Sequence, residues 1–316
     1  MQSALTPLTR RTFLRHAASA GAAVTLAGRT AALARRAGMF VSLNASMTRH
    51  VEWPEFARLA ARVGYGGVDV NLDAARAQGV EATRALFAEL KIRPGVINLP
   101  FRLGADEPAF EEGLKALEGV AGFAAAIGCP RMMAVMPPAS ATPKVELQKT
   151  FKDRLTAISA VLRPSDVRLG LEFLGPLHFR TRQPHEFIWR MNELLEFTKE
   201  CGPNIGLVLD AWHWHHAGAT GDDILNAGKS RIVHVHVSDA KPQPPEEVRD
   251  NQRLMPGEGV IDLTAFFRCL QQIGYTDAVS PEPIGRVPAT MPAEEGARLG
   301  LQTTRDAMKK AGIAPA

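Results

Sequence analysis

Two apolar runs decide the fold of this 316-residue chain: Ile205-Gly-Leu-Val-Leu-Asp210 and Ile232-Val-His-Val-His-Val237. Each run has the length of a β-strand and carries a polar residue at or near its end, and a helix-length segment separates the two. Parallel strands need such a crossover, whereas antiparallel strands can be joined by a tight turn. The stretch therefore predicts βα units and a parallel sheet.

The same pattern extends in both directions from this stretch. Six further strand candidates are 39–44, 67–71, 94–99, 131–136, 168–173 and 278–281. The helical candidates between them include 54–63, 107–127, 144–162, 184–201 and 263–273. Eight βα units close most economically into a (β/α)8 TIM barrel, and the chain length suits one such α/β domain. A doubly wound open sheet is the alternative fold, but no G-x-G-x-x-G follows the first strand candidate.

The first 34 residues differ in character from the rest. Thr9-Arg-Arg-Thr-Phe-Leu-Arg15 precedes an apolar run over 17–27, and this arrangement resembles a bacterial twin-arginine export signal. We predict a signal peptide over 1–34, a barrel domain over 35–316, and a periplasmic or secreted protein with no stable membrane span after cleavage. An uncleaved anchor and an amphipathic first helix of the domain are the alternatives.

The charge of the chain also depends on this leader. The formal net charge is +4, and residues 1–34 contain four arginines and no acidic residue. Without them, 33 basic residues face 33 acidic residues. A net charge near zero provides no long-range attraction for nucleic acid or an anionic membrane. We therefore expect no nucleic-acid partner.

Polar residues at the ends of four successive strand candidates suggest a metal site. These residues are Glu172, Asp210, His236 and Glu282. The carboxyl ends of adjacent barrel strands meet at one mouth, where three carboxylates would repel one another without a cation. Three oxygen donors and one imidazole suit a divalent metal, with Mn²⁺ favoured and Mg²⁺, Co²⁺ and Zn²⁺ left open.

Five motifs carry a resemblance to a known family. They are Leu171-Glu-Phe173, Asp210-x-x-His213, His234-Val-His-Val-Ser-Asp239, Arg253-x-x-Pro-Gly-x-Gly259 and Ser280-Pro-Glu282. Over residues 38–312 the chain resembles the sugar-phosphate isomerase/epimerase superfamily, the xylose-isomerase-like TIM barrels. The resemblance implies that Glu172, Asp210, His236 and Glu282 bind the metal.

The resemblance also implies a reaction and a substrate site. Glu172 and Glu282 would form the catalytic acid/base pair on opposite faces of a keto-sugar or cyclitol, which would isomerise or epimerise through an enediolate. His213, Arg253 and Trp212 are predicted to bind this substrate. His178 departs from the pattern, because some ketose 3-epimerases carry a substrate-binding glutamate at its position, six residues after Glu172. We also assign His178 to the substrate site.

One segment and two further residues also receive an interpretation. The irregular, proline-rich stretch 241–259 is a candidate lid or substrate-contacting loop beside the active site. Asp239 is expected to orient His236 or Lys241. His234 lies two residues before His236 on the same face of the strand, so we expect a hydrogen-bonded core histidine there.

Rival functions share some of these residues. A dehydratase or lyase of a keto-sugar or cyclitol would use the same metal and glutamates, and a non-catalytic carbohydrate-binding barrel would keep the fold without turnover. The nuclease branch of the superfamily needs extra histidines at the second and third strands, which here carry Asp69, Asn71 and Asn98. The expected partner is therefore a sugar-like small molecule, and a homo-oligomer is left open.

Overall fold

A computed structural model describes residues 38–48 and 51–316, and one compact unit, Met39–Pro315, contains a closed barrel of eight parallel strands. The barrel strands are β1 (Phe40–Leu43), β2 (Gly67–Val70), β3 (Arg93–Asn98), β4 (Arg131–Val135), β5 (Arg168–Glu172), β6 (Ile205–Asp210), β7 (Ile232–Val237) and β8 (Ala278–Pro281). Strand β1 pairs with both β2 and β8, which closes the barrel. The TIM-barrel prediction is confirmed, with all eight strands at the predicted places. The leader prediction falls outside the described residues.

The apolar runs in the sequence are clearest at strands β6 and β7, and the burial of these strands explains why. All six residues of each strand are buried. A parallel barrel strand is covered by helices outside and by side chains inside, so it reads as a nearly continuous apolar run. The register places Asp210 opposite His236 and Ser280 beside His236. Polar side chains from three neighbouring strands therefore lie at one level of the barrel.

Helices cover the outside of the barrel. The α-helices are Glu55–Val63, Leu72–Gln78, Val80–Leu90, Glu107–Ala126, Lys144–Leu162, Leu177–Arg180, Met191–Lys199, Ala211–His216, Gly221–Ala227, Leu263–Gln272 and Ala293–Lys310. Asp106 and Asp262 cap two of them by accepting hydrogen bonds from the third residue beyond each cap. Among residues 38–48 and 51–316, no helix combines the length and the apolar character that a membrane crossing requires.

One predicted helix is too long at its N-terminal end. The helix expected over 184–201 spans only Met191–Lys199. His185–Glu186 instead forms a short antiparallel pair with Ala139–Ser140, and the N–H of Phe187 donates to the carbonyl of Pro138. Phe187 is almost fully buried, so tertiary packing and strand pairing override the helical pattern of the preceding residues.

The stretch 241–259 returns to the barrel mouth through a two-residue bridge. Asp239 and Leu254 exchange both backbone hydrogen bonds, at 2.9 and 2.8 Å. The carboxylate of Asp239 also accepts the backbone N–H groups of Ala240, Gly257 and Ile261. Asp239 thus holds the loop rather than orienting His236 or Lys241, and the loop brings Arg253 to the mouth.

Candidate metal centre

The ends of β5, β6, β7 and β8 bring four side chains together. Glu172 and Asp210 are the last residues of their strands, His236 is the penultimate residue of β7, and Glu282 directly follows β8. One donor atom from each of the four lies within 4.8 Å of the others. Glu172, Asp210 and His236 are buried, and the Glu282 side chain is 16% exposed. Glu282 is thus the most exposed of the four residues.

His236 lies at the centre of the cluster. Its Nδ1 is 2.9 Å from Glu172 Oε1, 3.4 Å from Glu282 Oε2 and 4.0 Å from Asp210 Oδ2. One ring nitrogen therefore faces all three carboxylates. Three carboxylate oxygens and one imidazole nitrogen form a donor set that a divalent cation accepts. The residues present fit a metal ion of this class.

Arg253 adds a positive charge to the same cluster. Its Nη1 donates to Asp210 Oδ2 at 2.8 Å and to Glu282 Oε2 at 3.1 Å, and its Nη2 donates to Asp250 Oδ1 at 2.7 Å. Nη2 also lies 3.2 Å from His213 Nε2. The side chain is 2% exposed. Arg253 therefore bridges two of the predicted metal ligands and has most of its donors engaged within the protein.

Burial and charge act together on the proton affinities of these groups. Burial lowers the pKa of His236, but the attraction of Glu282 and Glu172 outweighs burial and raises that pKa to about 10. Burial raises the pKa of Glu282 to about 7; nearby Glu172 adds to the rise and His236 opposes it. For Asp210, burial favours a higher pKa, but Arg253 and His213 reverse the effect and leave the pKa well below its usual range. The proton affinities of these groups are thus set by their mutual charges as much as by their burial.

The helix Ala211–His216 begins at the cluster because Asp210 caps it. Asp210 Oδ1 accepts the backbone N–H of Trp212 at 2.6 Å and that of His213 at 3.1 Å. This cap fixes the carboxylate and leaves Oδ2 for Arg253. Burial lowers the pKa of His213 to about 3, so its imidazole is neutral near pH 7. His213 is thus a neutral hydrogen-bonding group at the edge of the site.

Trp212 and His178 occupy different positions from His213. Trp212 is 2% exposed, and the Arg253 guanidinium carbon lies 4.6 Å from the centroid of its ring. Trp212 therefore supports Arg253 from below. His178 lies on the helix Leu177–Arg180; burial is the main cause lowering its pKa, and Arg182 lowers it further while Asp250 opposes the change. The predicted substrate contacts of Trp212 and His178 stay predictions.

A cavity of about 480 Å³ opens beside the cluster, on the β1–β4 side of the mouth. Glu282 and Asp69 line it, so it reaches the metal cluster directly. Other polar and apolar lining residues include Asn44, Asn98, Trp53 and Phe56. Sequence reasoning used Asp69 and Asn98 only to argue against a nuclease. Asn44 and Trp53 follow β1 without a motif, so no sequence pattern marked them as parts of a pocket.

His234 matches its predicted structural position. It is fully buried in β7, and its Nε2 lies 3.1 Å from Ser280 Oγ. Burial places the pKa of His234 well below its usual value, which keeps the ring neutral. The expectation of a hydrogen-bonded core histidine is confirmed.

Comparison with known proteins identifies similar chains. The sequence profile described as the xylose isomerase-like TIM barrel matches residues 57–307. The inosose isomerase of Halalkalibacterium halodurans is 28% identical over 236 residues, which cover 73% of this chain and 80% of that protein. A xylose isomerase domain protein from Alicyclobacillus acidocaldarius superposes with a TM-score of 0.81 at 28% identity, covering 87% of this chain and 100% of that chain. The IOLI protein, solved with a bound zinc atom, gives a TM-score of 0.72 at 24% identity over 86% of this chain and 99% of that chain.

Proposed function

The chain belongs to the xylose isomerase-like TIM barrel family, and on this premise we propose that it is a divalent-metal-dependent isomerase or epimerase of a keto-sugar or cyclitol. One observation carries the proposal: the donor atoms of Glu172, Asp210, His236 and Glu282 lie within 4.8 Å of one another beside an open cavity. The similarity to an inosose isomerase supports a cyclitol ketone among the substrates.

The four clustered residues would hold one divalent ion. Three carboxylates favour Mn²⁺ or Mg²⁺, and the imidazole also accommodates Zn²⁺ or Co²⁺. Mn²⁺ stays our preferred ion, and the zinc atom in the similar IOLI barrel makes Zn²⁺ the second ion to test. A bound divalent ion supplies Lewis-acid chemistry, which stabilises negative charge that develops on the oxygens of a sugar.

Glu172 and Glu282 are assigned to proton transfer. One carboxylate removes the C–H proton from the hydroxyl-bearing carbon next to the carbonyl group. The electron pair of that C–H bond moves toward the carbonyl oxygen. The other carboxylate, in its protonated form, then donates a proton to carbon. Return to the same carbon on the opposite face gives an epimer. Return to the former carbonyl carbon gives an isomer, provided that the proton of the neighbouring hydroxyl group also moves to the former carbonyl oxygen, so that the hydroxyl carbon becomes the new carbonyl. Glu282 lines the cavity and so meets the substrate directly.

We assign Arg253 and His213 to positioning these groups and to binding the substrate oxygens. Arg253 holds Asp210 and Glu282 through Nη1, and the neutral His213 ring lies against Nη2. Trp212 supports Arg253 from below. Asp250 also pairs with Arg253, and we assign Trp212 a supporting role that acts through Arg253. His178 stays assigned to the substrate site as a prediction from the sequence.

The cavity suits a polyhydroxylated substrate. Its lining combines amide and carboxylate groups from Asn44, Asn98 and Asp69 with the rings of Trp53 and Phe56. Amides and carboxylates bind hydroxyl groups, and aromatic rings pack against the C–H face of a sugar. Among the described residues that line this cavity there is no lysine or arginine.

Product analysis separates the rival functions. The metal-loaded protein is incubated with an inosose and a panel of free ketoses, and the products are followed by NMR. An isomer or epimer of the substrate supports the proposal, whereas a product that has lost water identifies a dehydratase on the same site. A carbohydrate-binding barrel would change neither the substrate nor its C–H protons.

We also propose that residues 1–34 direct the folded protein out of the cytoplasm. The Arg10-Arg11 pair and the apolar run that follows it support this proposal. Expression of the full chain in cells with and without a twin-arginine pathway tests it. The mature protein should appear outside the cytoplasm only when the pathway is present, and Arg10→Lys/Arg11→Lys should block its export.

A further inference from the structure

Asp69 is the centre of a partly buried hydrogen-bond network beside the candidate metal centre. Its Oδ1 accepts Ser42 Oγ at 2.7 Å and Ser280 Oγ at 2.9 Å, and its Oδ2 accepts Asn44 Nδ2 at 3.1 Å. Ser280 Oγ also lies 3.1 Å from His234 Nε2. The network joins β1, β2, β7 and β8 across the seam where the barrel closes. The Asp69 carboxylate therefore has a fixed position.

The backbone of β3 makes room for this carboxylate. A Cβ atom at Gly95 would lie 2.2 Å from Asp69 Oδ1 and 2.3 Å from Ser42 Oγ. Contacts this short do not occur between such atoms, so any larger residue would push the pair apart. Strand β2 carries Asp69 and strand β3 leaves the space for its carboxylate, so both strands determine its position.

His236 approaches this network with its second ring nitrogen unsatisfied. One donor atom each from Asp69, His234 and His236 lie within 4.8 Å of one another. His236 Nδ1 faces Glu172, whereas its Nε2 is buried and has no hydrogen-bond partner among the residues that the structure describes. A buried ring N–H without an acceptor is destabilising. The Asp69 carboxylate can supply that acceptor directly or through one bridging water.

We propose that Asp69 is a positioning residue for the metal centre: it accepts the proton on His236 Nε2 and thereby keeps Nδ1 free of a proton and aimed at the ion. This inference rests on the proposed metal site. A neutral imidazole that binds a metal through one nitrogen carries its proton on the other, and an outer carboxylate that accepts this proton fixes the tautomer and the ring angle. Asp69 never contacts the ion or the substrate carbon in this role.

Metal affinity and one NMR resonance test the proposal. Zn²⁺ alone serves as the probe, and its dissociation constant is measured by competition with a chelator in the wild type, Asp69→Asn and Asp73→Asn. Asp73 lines the same cavity from an exposed position, so its variant controls for the loss of one negative charge. We expect Asp69→Asn to weaken Zn²⁺ binding about 10- to 100-fold and Asp73→Asn to change it less than about twofold, as distant surface charges do.

The NMR measurement uses zinc-loaded protein labelled with ¹⁵N-histidine. In the wild type, the His236 Nε2–H should give a signal protected from exchange with water, and this signal should be lost or exchange faster in Asp69→Asn. Loss of the signal in His234→Gln, with retention in Asp69→Asn, would identify His234 as the acceptor and overturn the proposal. Unchanged zinc affinity in Asp69→Asn would also overturn it.

A second variant, which keeps the Asp69 carboxylate, tests the proposal in case Asp69→Asn does not fold. Ser280→Ala removes one donor to Asp69 and leaves its carboxylate in place, so it should weaken Zn²⁺ binding about threefold to tenfold, less than loss of the carboxylate itself. If Asp69→Asn does not fold, an unchanged affinity in Ser280→Ala contradicts the proposal.

Failure of the wild type to bind Zn²⁺ would instead reject the metal site of the proposed function, and normal Zn²⁺ binding without turnover would reject only the reaction.

Discussion

Arg253 and Asp210 form an ion pair at the barrel mouth, with Arg253 Nη1 2.8 Å from Asp210 Oδ2. The Asp210 side chain is fully buried and the Arg253 side chain is 2% exposed. Because water is excluded, each charge depends on the other for stabilisation. The guanidinium therefore shares Asp210 and Glu282 with the metal that these carboxylates would bind.

Arg253→Met should destabilise the metal-free protein by about 3–5 kcal/mol, because it leaves the buried Asp210 carboxylate without its partner. Zn²⁺ should recover a large part of this loss, since the ion supplies the missing positive charge. Chemical denaturation with and without Zn²⁺ measures both values. Arg286→Met is the control, because the Arg286–Glu258 pair is partly exposed and should contribute less than about 1 kcal/mol. Equal stabilities of the two variants would contradict this role for Arg253.

Metal removal should lower stability through the four clustered residues. At a free Zn²⁺ or Mn²⁺ concentration 100 times the dissociation constant, binding adds about 2.7 kcal/mol to the free energy of unfolding. A chelator should remove this increment from the wild type, whereas His236→Ala should show almost no increment at all. Calorimetric melting with each ion measures the difference. An increment that survives in His236→Ala would show that the metal binds elsewhere.

Trp53 should report binding in the cavity. Its half-buried ring lines the pocket, whereas Trp212 and Trp214 are buried and Trp189 lies outside the lining. A substrate that packs on Trp53 will change its emission, so a fluorescence titration with an inosose should give a saturable change. Trp53→Phe should remove most of that change and Trp189→Phe should keep it. The reverse pattern would place the substrate outside the cavity.

The sequence predicts those features that depend on short-range patterns. All eight strands could be located because each is a short apolar run between helix-length segments, and the four polar strand ends converge because parallel strands share a mouth. The segment 184–190 was wrongly predicted as helix, because its burial and its pairing with Ala139–Ser140 depend on distant parts of the chain.

Long-range geometry limits what the sequence can predict about the site. The Asp69 network joins Ser42 to Ser280, which become neighbours only when β1 pairs with β8. Arg253 reaches Asp210 because the loop after β7 is folded back by the Asp239–Leu254 bridge. Neither relationship has a fixed spacing along the chain. The sequence therefore predicted the charged groups of the site, but not which of them form hydrogen bonds and ion pairs with one another.

Proton exchange tests the central claim most directly. Metal-loaded wild type, Glu172→Gln and Glu282→Gln are incubated in D₂O with an inosose and with free ketoses, and deuterium in the substrate C–H positions is followed by NMR, with bound metal measured in every sample. The proposed function predicts exchange in the wild type and a loss of at least about 100-fold in each variant, the usual contribution of a positioned acid or base. Absence of exchange in the metal-loaded wild type with every substrate, or full exchange in both variants, would contradict it.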